Sequence, residues 1–72
     1  MMYVWETSLD ERYDCKVERI DEYMGRLTVV DTAASVLLLE ENVTLAYNAV
    51  FGADVADVAL WQEMCIKAVD ND

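Results

Sequence analysis

Residues 12–18 alternate between two kinds of side chain, and this alternation constrains the fold more than any other feature of the chain. Tyr13, Cys15 and Val17 fall on one side of an extended segment, and charged residues fall on the other. Successive side chains of a β-strand point to opposite faces of its sheet, so the pattern predicts a half-buried strand with a solvated outer face. A sheet with one solvated face is typical of antiparallel pairing.

Three further segments have the composition of strands. Residues 3–9 alternate and are rich in aromatic and β-branched side chains, and residues 27–30 form a short apolar run after a polar turn at residues 21–25. Within that turn, Gly25 is expected to adopt a positive φ angle. Residues 36–40 are nearly all apolar, which predicts a central strand covered on both faces.

The C-terminal segment predicts a helix over residues 55–69. Asp54 is a suitable N-cap, and Asp57 places a second carboxylate at the positive end of the helix. Residues 43–51 are ambiguous, because they alternate like a strand and also resemble a short helix that ends at Gly52. At about 100° per residue, seven side chains share the face expected to pack on the sheet. They are Val55, Val58, Ala59, Gln62, Cys65, Ile66 and Val69.

These elements predict an α+β fold. It is an antiparallel meander of three or four strands followed by a C-terminal helix packed on one face, with a short helix before it as an alternative. We expect a single small acidic domain over residues 1–72, because a chain this short cannot enclose two hydrophobic cores. With 56% apolar residues, part of the apolar surface must face solvent or a partner.

The charge balance narrows the classes of partner. Fifteen acidic residues stand against five basic ones, with no His and a formal net charge of −10. Phosphate repels such a chain, so we expect neither direct nucleic-acid binding nor binding to an anionic membrane. Between residues 27 and 66 every charged side chain is acidic, a pattern that attracts a cationic partner. These residues are Asp31, Glu40, Glu41, Asp54, Asp57 and Glu63.

The side of the helix opposite its predicted core face is also rich in apolar residues. Leu60 and Met64 lie near its centre, and Trp61 lies on the flank shared with the core face, so it could be a core residue in either case. Either another element covers these residues, or they form an interface with Trp61 as its anchor, of which a homodimer through the C-terminal helix is one form. The candidate partner-binding residues are therefore Leu60, Trp61, Met64, Glu40, Glu41, Asp31 and Asp57.

Catalysis finds little support in the residues. There is no His, no Ser or Cys nucleophile with a base at a recognisable spacing, and no glycine-rich phosphate loop. Calcium and zinc ligand patterns are missing too, so we expect no enzymatic activity, no cofactor and no metal. Cys15 and Cys65 are expected to be buried free thiols, close together if the helix crosses the strand. Without a secretory pattern or a membrane span, we expect a cytoplasmic location.

The expected function is that of a non-enzymatic protein-binding module, a small acidic accessory or inhibitor protein that acts on a basic partner or by self-association. Two alternatives stay open. One is a nucleic-acid mimic whose carboxylates occupy the site of a nucleic-acid-binding protein, by analogy of charge and size with phage inhibitors of restriction and CRISPR enzymes. The other is a structural subunit of a larger assembly, which permanently covers the back of the helix.

Overall fold

The computed structural model describes residues 3–45 and 55–71, the second range with side chains from residue 57 onward. These residues form one antiparallel sheet in the order β1-β2-β3-β4, followed by a helix α1. The predicted α+β fold, a meander with a C-terminal helix, is confirmed. The elements are β1 (Tyr3–Leu9), β2 (Tyr13–Arg19), β3 (Met24–Asp31), β4 (Val36–Thr44) and α1 (Val55–Asp70).

The two inner strands supply the centre of the core. Cys15 and Val17 of β2 pair in register with Val29 and Leu27 of β3, and all four side chains are fully buried. Each fully buried Val or Leu stabilises the fold by roughly 1.5–3 kcal/mol relative to an exposed one. The half-buried strand predicted from the alternation at residues 12–18 is confirmed.

Helix α1 packs across this buried face of the sheet and contacts β3 and β4. Its deepest side chains are Trp61 and Cys65, each only 1% exposed. The Trp61 ring also reaches Trp5 of β1, with 5.8 Å between the ring centroids. A tilted aromatic pair at this distance adds roughly 0.5–1.5 kcal/mol to the burial of the two rings. The helix therefore joins the first strand of the sheet to the last two.

The face of α1 that meets the sheet differs from the predicted one. Ala59, Gln62 and Ile66 were assigned to the core face by their spacing, yet all three are exposed, Ile66 by 50%. Trp61, on the flank of the predicted core face and a candidate for the core from there, is buried at its centre. An aromatic side chain removes more apolar surface from water than any other residue of this helix, so the helix is rotated to put Trp61 inward.

Gly25 lies inside β3 and not in the preceding turn, so the predicted role for it is wrong. A Cβ atom at this position would lie 2.8 Å from Cγ1 of Val17 and 3.1 Å from the carbonyl oxygen of Glu18. It would also lie 3.3 Å from the Leu45 side chain. A glycine is needed here because the core and the neighbouring strand approach its Cα closely.

The tight connections of the sheet rely on residues other than glycine. Positive φ angles occur at Asp10 and Glu11 between β1 and β2, and at Ser35 between β3 and β4. In the connection from β2 to β3, the Asp21 carboxylate accepts hydrogen bonds from the backbone N–H groups of residues 23 and 24. Short acidic and polar side chains support such turns by hydrogen bonding to their own backbone.

Strand β4 lies at the edge of the sheet, so the central strand predicted for residues 36–40 is wrong. Val36 and Leu37 are 47% and 51% exposed, and the register shifts at a β-bulge opposite Val29 and Val30. Neighbouring strands pair with the edges of a strand and do not cover its faces, so an apolar run does not by itself imply a central position, and in the described residues no strand lies beyond β4. Most of the ambiguous stretch 43–51 lies outside the described residues, as does Asp54.

Candidate protein-binding surface

Glu40 and Glu41 stand side by side in β4 and point to opposite faces of the sheet. Glu41 pairs in register with Leu27, whose side chain lies in the core, so Glu41 is on the helix side. Glu40 pairs with Thr28 and is on the open side. Both carboxylates are exposed. The edge of the sheet therefore carries a negative charge on each face.

One basic side chain approaches this pair. Nε of Arg26 lies 3.9 Å from Oε1 of Glu40, and both side chains are about half exposed. An exposed ion pair of this length contributes roughly 0–1 kcal/mol and is screened by salt. Among residues 3–45 and 57–71, the structure shows no ion pair for Glu41.

Asp31 has a structural role at the end of β3. It is 2% exposed, and Arg12 donates to its two carboxylate oxygens from Nε at 2.9 Å and Nη2 at 2.6 Å. The backbone N–H groups of Ala33 and Ala34 donate to the same side chain. The hydrogen bonds from Arg12, aided by these amides, hold the pKa of Asp31 below its usual value against the opposing effect of burial. Asp31 therefore does not belong to an exposed negative patch.

The apolar candidates of α1 do not form one surface. Trp61 is buried in the core, and Met64 is partly buried and packs against it. Leu60 points away from the sheet and is 54% exposed. Ile66, which the spacing predicts to be inside, is the other large apolar side chain exposed on the described part of the helix. Six residues separate Leu60 from Ile66, which is about 120° around a helix, so the two do not make a continuous patch.

The remaining acidic residues of α1 act within the helix. Asp57 is half-buried in the first turn, where a carboxylate interacts favourably with the positive end of the helix. Glu63 and Lys67 form an ion pair of 3.1 Å one turn apart. Such pairs stabilise a helix by roughly 0.2–0.5 kcal/mol.

The five basic side chains of the protein each have a partner within the chain. Arg12 pairs with Asp31, Lys16 lies over the Tyr3 ring, Arg19 donates to the carbonyl oxygens of Asp21 and Glu22, Arg26 pairs with Glu40 and Lys67 with Glu63. Because acidic residues outnumber basic ones by fifteen to five, the internal pairs leave a large excess of negative charge. This excess is spread over the surface, and Glu40 and Glu41 are where it falls on an open strand edge.

Cys15 and Cys65 meet where α1 crosses β2. Both are unbridged and buried, as predicted, and both belong to the hydrophobic core cluster. Burial raises the pKa of both thiols, and that of Cys65, to which the neighbouring Cys15 thiol adds a smaller effect, rises to about 12. Both sulfurs are therefore protonated at neutral pH, and a protonated thiol is a poor nucleophile.

Two features of the surface were missed by the sequence reasoning. The Arg12–Asp31 pair is one, because nineteen positions separate its members and only the register of the sheet brings them together. The exposure of Val36 and Leu37 is the other. Edge strands often contain a β-bulge, but nothing in this apolar run marks the position of the bulge.

The described part of the chain contains neither a metal-binding cluster nor a membrane-spanning helix. In residues 3–45 and 55–71, no group of three or more Cys, Asp or Glu side chains is placed to hold a metal ion. Helix α1, the only helix within those ranges, lacks the length and apolar character needed to cross a membrane.

Comparison of the chain with protein-family models, curated proteins and solved structures finds no match.

Proposed function

We propose that this protein is a non-enzymatic protein-binding module, a small acidic accessory or inhibitor protein that acts on a basic partner. The observation that supports this function is the distribution of charge. The basic side chains are engaged within the chain, while Glu40 and Glu41 are exposed on an edge strand. A surface of one sign accelerates encounter with an oppositely charged protein and selects against partners of the same sign.

Self-association through α1 receives less support. An interface needs a cluster of large side chains at its centre, usually with an aromatic anchor. The aromatic candidate, Trp61, is 1% exposed, and the exposed Leu60 and Ile66 lie on different sides of the helix. The proposed cytoplasmic location accords with the two buried free thiols, since cytoplasmic thiols are kept reduced.

The proposed function is tested by measuring how binding depends on salt and on charge. A partner captured from host extract with the tagged protein is identified by mass spectrometry, purified and titrated at increasing salt. The double variant Glu40→Lys/Glu41→Lys should slow association more than it speeds dissociation. Glu11→Lys/Glu22→Lys changes the net charge equally in two exposed turn residues and serves as the matched control.

Three outcomes distinguish the alternatives. Binding that weakens as salt rises and depends on Glu40 and Glu41 supports the proposal. If DNA or RNA also competes for the same site on the partner, the protein acts as a nucleic-acid mimic. A complex that is insensitive to salt and to both double variants contradicts the proposal, and then the apolar back of α1 around Leu60 becomes the interface of a structural subunit.

A further inference from the structure

We infer that β4 takes up an extended segment of the partner as an additional strand of the sheet, and that this segment carries two consecutive basic residues. The inference rests on the proposed function, because it assigns a geometry and a partner chemistry to the same carboxylates.

The first argument is the position of β4. It contains nine residues, Val36–Thr44, and is the last strand in the order of the sheet. One side of an edge strand presents a row of backbone N–H and C=O groups with which another extended chain can pair. Six of the nine residues are exposed, two are partly buried, and Val43 alone is buried. Within the described residues, no other strand pairs with the outer edge of β4.

The second argument is the alternation of the two carboxylates. Glu40 and Glu41 point to opposite faces of the sheet, and consecutive residues of an added strand also alternate between the faces. Side chains directly opposite each other on neighbouring strands have Cβ atoms about 4.5–5.5 Å apart. Two adjacent Lys or Arg residues would thus each meet one carboxylate, one on each face.

The third argument disfavours a second copy of this chain paired along the whole of β4. Glu40 is the central residue of β4, so two antiparallel copies paired about their centres would place Glu40 opposite Glu40. Like charges directly opposite each other destabilise a strand pair. A cationic segment removes this repulsion and replaces it with attraction.

The opposite edge of the sheet lacks this arrangement. Strand β1 contains one charged residue, Glu6. A basic segment would find no second carboxylate there. The choice between the two edges is therefore made by charge and not by strand length.

The half-exposed Leu37 adds a third contact. It lies three positions before Glu40 on β4. An antiparallel added strand runs in the opposite direction to β4. The residue opposite Leu37 therefore follows the basic pair by about three positions, and the bulge in β4 shifts this offset slightly. An apolar residue at that position of the segment would cover Leu37.

The experiment uses the full chain and a synthetic peptide as long as β4. The peptide has a Thr and Val background, a central Lys-Arg pair and a Leu three positions later. Two analogues carry N-methyl groups on alternate amides, one set on the odd positions and the other on the even positions. Only one set of amides can face β4, so strand addition predicts that one analogue loses affinity by roughly tenfold or more while the other binds like the parent.

Two further measurements locate the peptide. Amide hydrogen exchange should slow in Val36–Thr44 on binding, and not in Tyr3–Leu9. Glu40→Gln/Glu41→Gln should weaken binding, whereas Glu6→Gln/Glu11→Gln, which changes the net charge equally, should leave the affinity within about twofold. A peptide with Glu-Glu in place of Lys-Arg should not bind.

The contrary outcomes separate this inference from the proposed function. If all three cationic peptides bind equally and only salt weakens them, attachment is purely electrostatic, strand addition is overturned and the proposed function stands. If neither the peptides nor polylysine binds at low salt, the proposed function fails as well. A dimer of the protein alone, with the β4 amides already protected, would assign this edge to a second copy and overturn the inference.

Discussion

The two edge strands of the sheet occupy equivalent positions and are stabilised in different ways. Strand β1 contains no fully buried residue, yet Trp5 contacts Trp61 of the helix and Tyr3 lies under the ammonium group of Lys16. Strand β4 is anchored near its C-terminal end by the buried Val43 and exposes the rest of its length more fully.

This difference shows how a small protein can reserve one edge of a sheet for binding. Aromatic contacts hold β1 to the body of the protein, and its single carboxylate faces Lys16. On β4, adjacent carboxylates oppose pairing with another copy and attract a chain of opposite charge. The charge of β4 opposes edge-to-edge aggregation, and under the proposed function the same charge would select its partner.

The largest expected effect comes from removing the aromatic contact that holds β1. Trp61→Ala should lower the free energy of unfolding by roughly 3–5 kcal/mol, because it empties the centre of the core and deprives Trp5 of its partner. Urea denaturation followed by circular dichroism measures the loss. Leu60→Ala, on the exposed side of the same helix, is the control and should change stability by less than about 1 kcal/mol. Equal effects of the two substitutions would contradict the assigned helix face.

The next effect tests how closely Val17 and Leu45 pack against the backbone of Gly25 in β3. Gly25→Ala should destabilise the protein by about 1–3 kcal/mol, since its new methyl group would overlap Val17 and crowd Leu45. Thr28→Ala, on the open side of the same strand, should cost less. An unchanged or increased stability of Gly25→Ala would mean that the core can relax around the methyl group.

Alkaline pH tests the burial of Cys65 of α1 in the core cluster that it shares with Cys15 of β2, a strand inside the sheet. The pKa of Cys65 is raised from 9.0 to about 12 by burial, so the folded state favours the protonated thiol. The associated stability is fully present below pH 9 and is lost as pH rises towards 12. Urea denaturation of the native protein and of Cys65→Ala between about pH 8 and 10.5 should show a steeper decline for the native protein. Parallel declines would argue against a buried Cys65.

Acidic pH tests the ion pair that links the turn after β1 to the end of β3. The pKa of Asp31 is lowered, so its contribution to stability is present above the usual value of 3.8 and is lost as pH falls through the lowered value. Thermal unfolding from about pH 7 to 3 should therefore depend less on pH in Arg12→Met than in the native protein. Glu41→Gln is the control, and it should retain the native dependence.

The smallest effect is expected for the stability of β4 itself. Glu40→Lys/Glu41→Lys should change the free energy of unfolding by no more than about 0.5 kcal/mol, because both side chains are exposed and the Arg26–Glu40 pair is long. Urea denaturation at moderate salt is the measurement. A loss well above 1 kcal/mol would show that the carboxylates support the fold, and the contrast between the two edges would weaken.

The sequence by itself determined the elements and their order. Alternation at residues 12–18 and the unbroken helical stretch after residue 54 are local patterns, and local patterns survive in any arrangement of the chain. The same patterns were sufficient to predict that Cys15 and Cys65 are both buried. They also identified Glu40 and Glu41 as exposed acidic residues of the base-free segment.

Only the tertiary structure decided which face of the helix is inward, which strand is at the edge and which acid is paired. Trp61 moved from the flank to the core because burying its ring outweighs the periodicity of smaller residues. Asp31 was separated from the other acids because strand register brings Arg12 to it across nineteen positions. Side-chain packing and ion pairing depend on residues that are distant in the chain, so no local sequence pattern could predict them.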